Sequence, residues 1–103
     1  MHLHILGISG TFMSALALLA REAGHKVTGS DAHCYPPVSD LLTAKGIIWT
    51  EGYEDASLAL EADLIIVGNA IKRGMPVLEA VLEVGKKYTS GPQWLAENIL
   101  SQY

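Results

Sequence analysis

Short apolar runs alternate along the chain with longer stretches in which apolar residues recur at helical spacing. The apolar runs predict five strands, at residues 3–6, 26–31, 47–50, 63–70 and 86–90. The stretches that follow them predict five helices, at residues 11–24, 36–46, 55–62, 76–85 and 92–102. Five β-α units with short connections predict an α/β fold of the Rossmann-like, doubly wound type. In such a fold one five-stranded parallel sheet carries helices on both faces.

The composition indicates a globular domain and argues against several kinds of partner. A chain of 103 residues makes one domain, and 50% hydrophobic with 17% charged residues suits a globular core. The net charge of −4 argues against a nucleic-acid or membrane-surface partner, although a small anion remains possible. A single cysteine, Cys34, fits a reducing compartment, and the chain has neither a secretory signal nor an apolar stretch of membrane-spanning length. A cytoplasmic protein is expected.

The loop after the first strand has the composition of a phosphate site. Ligands of doubly wound folds bind beyond the carboxyl ends of the strands, and Gly7 and Gly10 allow a sharp turn there. Thr11, Phe12 and Met13 would then present free N–H groups at the start of the first long helix, which favours an anion. A tight turn that binds nothing is the alternative.

The dinucleotide fingerprint G-x-G-x-x-G is incomplete in this loop, because Ser9 and Phe12 occupy its second and third glycine positions. Asp31 follows Gly10 by 21 residues, where dinucleotide domains place an acid on the ribose, and Gly29 would allow close approach. The alternative is that Asp31 merely caps the turn that follows it. A ribose-binding role suits NAD and equally any nucleotide laid across the sheet. An NAD(P)-binding module of an oxidoreductase therefore stays an alternative, weakened by Phe12.

Two further loops contribute candidates. Tyr53 is suited to stacking on a base or to a structural role, and Asn69 places an amide at the end of the fourth strand or in a turn. The four histidines lack the spacing of a zinc site, and Cys34 has no evident base partner, so no metal and no catalytic residue are expected. A phosphate-binding loop of the G-x-x-x-x-G-K-S/T type is absent from the sequence.

Together, the segments GISGTFM, GSDAHCYPP, GNAIKRGMP and SGPQWL closely resemble the amino-terminal domain of the Mur ligases, over essentially the whole chain. The match is nearest to the branch that joins murein tripeptide (L-alanyl-γ-D-glutamyl-meso-diaminopimelate) to UDP-N-acetylmuramate in peptidoglycan recycling. The branch that adds L-alanine to UDP-N-acetylmuramate more often has glycines at the positions of Ser9 and Phe12, and histidine at that of Tyr53. It is the second alternative.

The resemblance implies a cytoplasmic enzyme of three domains. The first binds the UDP portion of UDP-N-acetylmuramate, the second carries ATP and Mg²⁺, and the third binds the peptide. The muramyl carboxylate is activated as an acyl phosphate, which the peptide amine attacks. Residues 1–103 correspond to the first domain and end where the family's linker begins, so we expect an excised domain. Such a domain binds no cofactor, binds UDP-sugar weakly at best, and is not catalytic alone.

The resemblance also implies a set of UDP-binding residues in three loops and at one tyrosine. The family's positions fall here on Gly7, Ser9, Gly10, Thr11, Phe12 and Met13, on Ser30 and Asp31, on Tyr53, and on Asn69 and Ala70.

Overall fold

The computed structural model describes residues 1–100, and within them the predicted element order is confirmed. The strands are β1 (His2–Leu6), β2 (Lys26–Asp31), β3 (Ile48–Glu51), β4 (Leu64–Val67) and β5 (Tyr88–Ser90). The helices are α1 (Thr11–Glu22), α2 (Val38–Ala44), α3 (Ser57–Glu61), α4 (Pro76–Glu83) and α5 (Gly91–Asn98). The last two residues predicted for the final helix, 101 and 102, lie outside the described residues.

The five strands form one parallel sheet in the order β3-β2-β1-β4-β5. This is the predicted Rossmann-like α/β fold, and the chain reverses its direction of travel across the sheet between β1 and β4. Loops that leave the carboxyl ends of these two strands diverge to opposite faces, which opens a crevice between them. None of the helices within residues 1–100 is long and apolar enough to span a membrane.

Helices cover both faces of the sheet and enclose two apolar clusters. The larger cluster lies under α1, α2 and α5 and includes Leu16, Leu42 and Trp94, all buried. The smaller one lies under α3 and α4, around Ala59 and Val77. The larger cluster fixes the start of α1 against α5, so two of the elements that border the crevice are held by the core.

Helix ends follow the local sequence signals. Gly24 and Gly46 adopt φ of +99° and +74°, a region that other residues rarely enter, directly after α1 and α2. Pro76 lies in the first turn of α4, and the Ser90 side chain accepts from Gln93 N at 3.2 Å to cap α5. Asp55 stands one residue before the cap position of α3, where its Oδ1 accepts from Ser57 N at 2.9 Å.

Candidate functional site

A cavity of about 500 Å³ opens at the carboxyl edge of the sheet, above the ends of β1 and β4. Ten of the eleven residues singled out from the sequence line it, and Ser30 is the exception. They are Gly7, Ser9, Gly10, Thr11, Phe12, Met13, Asp31, Tyr53, Asn69 and Ala70. Three predicted loops and one tyrosine therefore converge on the crevice between β1 and β4.

The loop between β1 and α1 is anchored to the end of β2. The carbonyl oxygen of Ser30 accepts from Gly7 N at 2.8 Å and from Ile8 N at 3.2 Å. Gly7 adopts φ of +87°, which makes glycine the favoured residue there, and its carbonyl accepts from Gly10 N at 3.2 Å. The amides of the loop are thus bonded within the protein and are not free for a ligand.

Backbone N–H groups that are available to a ligand lie in the first turn of α1. Gly10 is the N-cap residue of α1 and has no side chain that could accept a hydrogen bond from the first turn. The first helical bond runs from Ser14 N to Gly10 O at 2.8 Å. The N–H groups of Thr11, Phe12 and Met13 consequently have no partner within the helix, and all three residues line the cavity. No acidic side chain lies in that first turn, so the positive end of the helix dipole is not neutralised from within it.

The backbone conformation at position 10 does not require glycine. Its φ of −60° and ψ of 150° suit any L residue, so the expectation that both glycines serve the sharp turn is correct only for Gly7. A Cβ on Gly10 would lie 3.5 Å from the Gly7 carbonyl oxygen, an ordinary contact. Gly10 also lines the cavity beside the first turn of α1, where a side chain would take up room.

Asp31, the last residue of β2, is hydrogen-bonded to the loop between β1 and α1. Its Oδ2 accepts from Ser9 N at 2.9 Å, and the Ser9 hydroxyl donates to the carbonyl of His33 at 2.9 Å. Asp31 thus caps the first loop as well as ending β2. Tyr53 lies half-buried beside it, and burial, followed by the negative charge of Asp31, raises the pKa of the phenol. Tyr53 is therefore a neutral aromatic ring with an O–H donor at neutral pH.

The loop after β4 approaches β1 closely. Gly68 N donates to the Leu6 carbonyl at 3.0 Å, and a Cβ on Gly68 would lie 2.8 Å from that same oxygen. A side chain at Gly68 would force the two strand ends apart. Asn69 and Ala70, which follow Gly68, line the cavity together with Asp31 and Tyr53.

Phe12 packs toward α5. A Cβ built on Gly91 would lie 2.8 Å from both Phe12 Cε2 and Met13 Sδ, so glycine is what lets these two side chains lie over the start of α5. The ring remains 46% exposed and lines the cavity. A phenylalanine is accommodated at the third fingerprint position because the space is provided by the neighbouring helix.

Four residues that line the cavity were not among those predicted from the sequence: Val67, Gly68, Gly91 and Pro92. Their signal was their place directly at the carboxyl ends of β4 and β5, at the edge where ligands bind in this fold class.

Two residues of β2 have other roles than the sequence suggested. The side chain of Ser30 is fully buried, with its Oγ 2.8 Å from His4 Nε2, so it does not reach the cavity. A Cβ on Gly29 would lie 2.4 Å from Ile8 Cδ1, so Gly29 makes room for the buried Ile8 rather than for a ligand. In both cases the pairing of β2 with β1 decides what the residue faces.

The lining carries one carboxylate, Asp31, and none of its described residues is Lys, Arg or His. The nearby basic residue Arg73 lines an adjacent cavity and binds Glu79 through two bonds of 2.7 and 3.0 Å. Residues 1–100 hold no group of three His, Cys, Asp or Glu side chains placed to bind a metal ion. An anion in the crevice would rely on backbone amides and the α1 dipole.

Comparison with known proteins gives one family. The family described as "Mur ligase family, catalytic domain" matches residues 2–103. The chain is 56% identical over 100 residues to the UDP-N-acetylmuramate–L-alanyl-γ-D-glutamyl-meso-2,6-diaminoheptandioate ligase of Escherichia coli (strain K12), covering 97% of this chain and 22% of that protein. It is 36% identical over 92 residues to the UDP-N-acetylmuramate–L-alanine ligase of Lactobacillus acidophilus, covering 89% of this chain and 21% of that protein.

A solved structure agrees with these relatives. The murein peptide ligase of Psychrobacter arcticus 273-4 superimposes with a TM-score of 0.93 at 58% identity, covering 98% of this chain and 21% of that one. The chain thus spans about a fifth of the length of the relatives it matches. Shared sequence and shared fold lead to one conclusion: the chain belongs to the Mur ligase family.

Proposed function

We propose that residues 1–103 form the amino-terminal, UDP-binding domain of an ATP-dependent carbon–nitrogen ligase. The ligase joins murein tripeptide (L-alanyl-γ-D-glutamyl-meso-diaminopimelate) to UDP-N-acetylmuramate. The single observation that carries the proposal is the convergence of ten motif residues on one crevice at the reversal point of the sheet. The relative of that activity at 56% identity, against 36% for the L-alanine ligase, supports the tripeptide as co-substrate.

In the proposed complex the diphosphate lies at the start of α1. The amides of Thr11, Phe12 and Met13 donate to it, and the helix dipole favours its charge. The uridine extends toward β2 and β3, where Tyr53 offers an aromatic face and Asp31 accepts from hydroxyl or imide N–H groups. The sugar then extends toward Asn69 and Ala70, on the wall formed by the β4 loop.

The absence of a cation from the described lining has a consequence for affinity. A diphosphate carries charge that amides and a helix dipole offset only in part, and the Asp31 carboxylate opposes it. We therefore expect residues 1–103 alone to bind UDP-N-acetylmuramate weakly, with further contacts supplied by the rest of the ligase.

The residues of this chain do not fit ATP or Mg²⁺. The sequence has no G-x-x-x-x-G-K-S/T loop, and the described residues offer no cluster of metal-binding side chains. The chemical step, attack of the tripeptide amine on the activated muramyl carboxyl group, is therefore assigned to domains outside this chain, together with the peptide site. Within the proposal the ligase acts in the cytoplasm.

The test uses the intact protein that contains this chain. Purified protein with ATP, Mg²⁺, UDP-N-acetylmuramate and the tripeptide should yield the UDP-linked tripeptide product, detected by mass. The matched reaction replaces the tripeptide by L-alanine and should yield little product. Preferential use of L-alanine would instead identify the L-alanine ligase, and no product with either would overturn the proposal.

Binding is tested separately by titrating the protein with UDP-N-acetylmuramate and with NADH while following the backbone amides of residues 7–13. The UDP ligand should shift these signals and NADH should not. Saturable binding of NADH without a response to the UDP ligand would reverse the ranking and favour a dinucleotide module.

A further inference from the structure

A ladder of polar side chains crosses the sheet beneath α3, which contacts β1 and β2. Thr28 Oγ1 lies 2.8 Å from His2 Nε2 and 2.7 Å from His4 Nδ1. His4 Nε2 lies 2.8 Å from Ser30 Oγ, which in turn lies 3.2 Å from Thr50 Oγ1. His4, Thr28 and Ser30 are all buried. The ladder thus joins β1, β2 and β3 through side chains, in addition to their backbone pairing.

With His4 neutral, every buried polar side chain of the ladder has a hydrogen-bond partner. One consistent arrangement has Ser30 Oγ–H donating to His4 Nε2, and His4 Nδ1–H donating to Thr28 Oγ1. Buried polar groups that are all paired hold one geometry, because leaving any partner unpaired in a dry interior is costly. The side chain of Ser30 is therefore fixed between β1 and β3 at the last register pair of β1 with β2, Leu6 with Ser30.

Ser30 is also the anchor of the first loop. Its carbonyl accepts from both Gly7 N and Ile8 N, and the next residue, Asp31, accepts from Ser9 N. Three consecutive loop amides thus end on two consecutive residues of β2. The loop leads directly into α1, so the position of the free amides at Thr11–Met13 depends on where Ser30 stands.

We infer that Ser30 is a positioning residue for the phosphate site, holding the first loop through its carbonyl while His4 and Thr50 hold its side chain. It acts without touching the ligand. The inference rests on the proposed function, since the site it positions is the UDP site proposed above.

The experiment compares two buried hydroxyls of the same ladder in the intact protein. Ser30→Ala removes the hydroxyl from the residue that anchors the loop. The matched control, Thr28→Val, removes the hydroxyl two residues earlier on β2, which bonds to His2 and His4 rather than to the loop. We expect Ser30→Ala to raise KM for UDP-N-acetylmuramate about tenfold, with kcat and KM for ATP within twofold of the parent protein. Ser30→Thr, which keeps the hydroxyl, should restore KM to within threefold.

Thr28→Val should lower the melting temperature while leaving KM for UDP-N-acetylmuramate within twofold. An equal rise of KM in both variants, or unchanged KM in Ser30→Ala, would overturn the inference. Hydrogen exchange, followed by mass spectrometry on peptides spanning residues 4–13, tests the anchor independently of catalysis. Exchange of the Gly7 and Ile8 amides should be at least fivefold faster in Ser30→Ala, and unchanged exchange would refute the anchoring role even in a protein with no ligase activity.

Discussion

Ser9 donates its backbone N–H to Asp31 Oδ2 over 2.9 Å, and this bond joins the loop after β1 to the end of β2. Asp31 is the last residue of β2, and Ser9 lies in the loop that follows β1, the neighbouring parallel strand. The same carboxylate borders the cavity proposed for the uridine. One side chain thus holds the loop and lines the cavity.

Removing this carboxylate should weaken the UDP site by releasing the loop. In Asp31→Ala the part-buried Ser9 N–H loses its acceptor, which costs about 1–3 kcal/mol, and we expect the affinity for UDP-N-acetylmuramate to fall about tenfold. Calorimetric titration of the intact protein measures this. Glu54→Ala is the matched control, because it removes an exposed carboxylate near Tyr53 that does not line the cavity. Equal affinity in both variants would show that Asp31 has no part in the site.

Gly10 should matter for the ligand and not for the fold. A methyl group there meets the Gly7 carbonyl oxygen at an ordinary 3.5 Å, so Gly10→Ala should change the free energy of unfolding by only about 0.5 kcal/mol. Because Gly10 lines the cavity beside the first turn of α1, the methyl group should crowd the diphosphate, and the affinity for UDP-N-acetylmuramate should fall at least about tenfold.

Gly7→Ala is the contrasting variant. Gly7 has φ of +87°, so an alanine there should cost about 1–2 kcal/mol of folding stability. Urea unfolding and ligand titration of both variants separate the two effects. Retained affinity in Gly10→Ala would mean that the first turn of α1 does not contact the phosphates.

The aromatic ring of Tyr53 should contribute to binding by stacking. Tyr53→Phe keeps the ring and should hold the affinity for UDP within about threefold, whereas Tyr53→Ala should lower it about tenfold, in line with 1–3 kcal/mol for base–aromatic stacking. Because the Tyr53 side chain also packs on the smaller apolar cluster, the comparison requires equal melting temperatures or a correction for the unfolded fraction. A tenfold loss in Tyr53→Phe would assign the role to the hydroxyl instead.

The fold and the location of the site could be predicted because both depend on patterns that local sequence carries. Apolar runs separated by helical periodicity define parallel β-α units, and the topology of such units places ligands at strand ends. The buried role of Ser30, next to the cavity-lining Asp31, was not predicted, although the sequence contains a signal for it. Consecutive strand residues point to opposite faces, and Ser30 shares its face with Thr28 and, through the register, with His4.

The contacts of Phe12 could not be predicted in the same way. They depend on Gly91, which is 79 positions away in the chain and becomes a neighbour only when α5 packs against α1. Likewise Gly29 has the local sequence of a ligand approach, and only the folded position of the loop after β1 shows that Ile8 occupies the space above it.

The buried His4 should make folding stability fall below neutral pH. Burial, followed by the charge of His2, lowers the pKa of His4 to about 4 from a usual 6.5, so the unfolded chain binds a proton that the folded chain resists. The contribution of neutral His4 to the free energy of unfolding is fully present above pH 6.5 and is lost between pH 6.5 and 4. By pH 5 the free energy of unfolding should have fallen by about 2 kcal/mol.

Urea unfolding between pH 5 and 7.5 measures this slope, above the range in which the carboxylates titrate. His4→Gln should flatten the slope even where it lowers stability overall. A slope that persists in His4→Gln would assign the proton uptake to another group.

Gly29 should be intolerant of any side chain, for reasons of packing alone. A Cβ at this position would lie 2.4–2.8 Å from three atoms of the Ile8 side chain, and Ile8 is fully buried between β1 and α1. The branched side chain cannot retreat without moving the first loop, so Gly29→Ala should cost about 1–3 kcal/mol of folding stability. Urea unfolding measures the cost, with Gly10→Ala as the glycine substitution that fits. Because Ile8 also precedes Ser9 in the anchored loop, the displaced side chain should weaken UDP binding in the folded fraction as well. Full stability in Gly29→Ala would show that Ile8 has another place to pack.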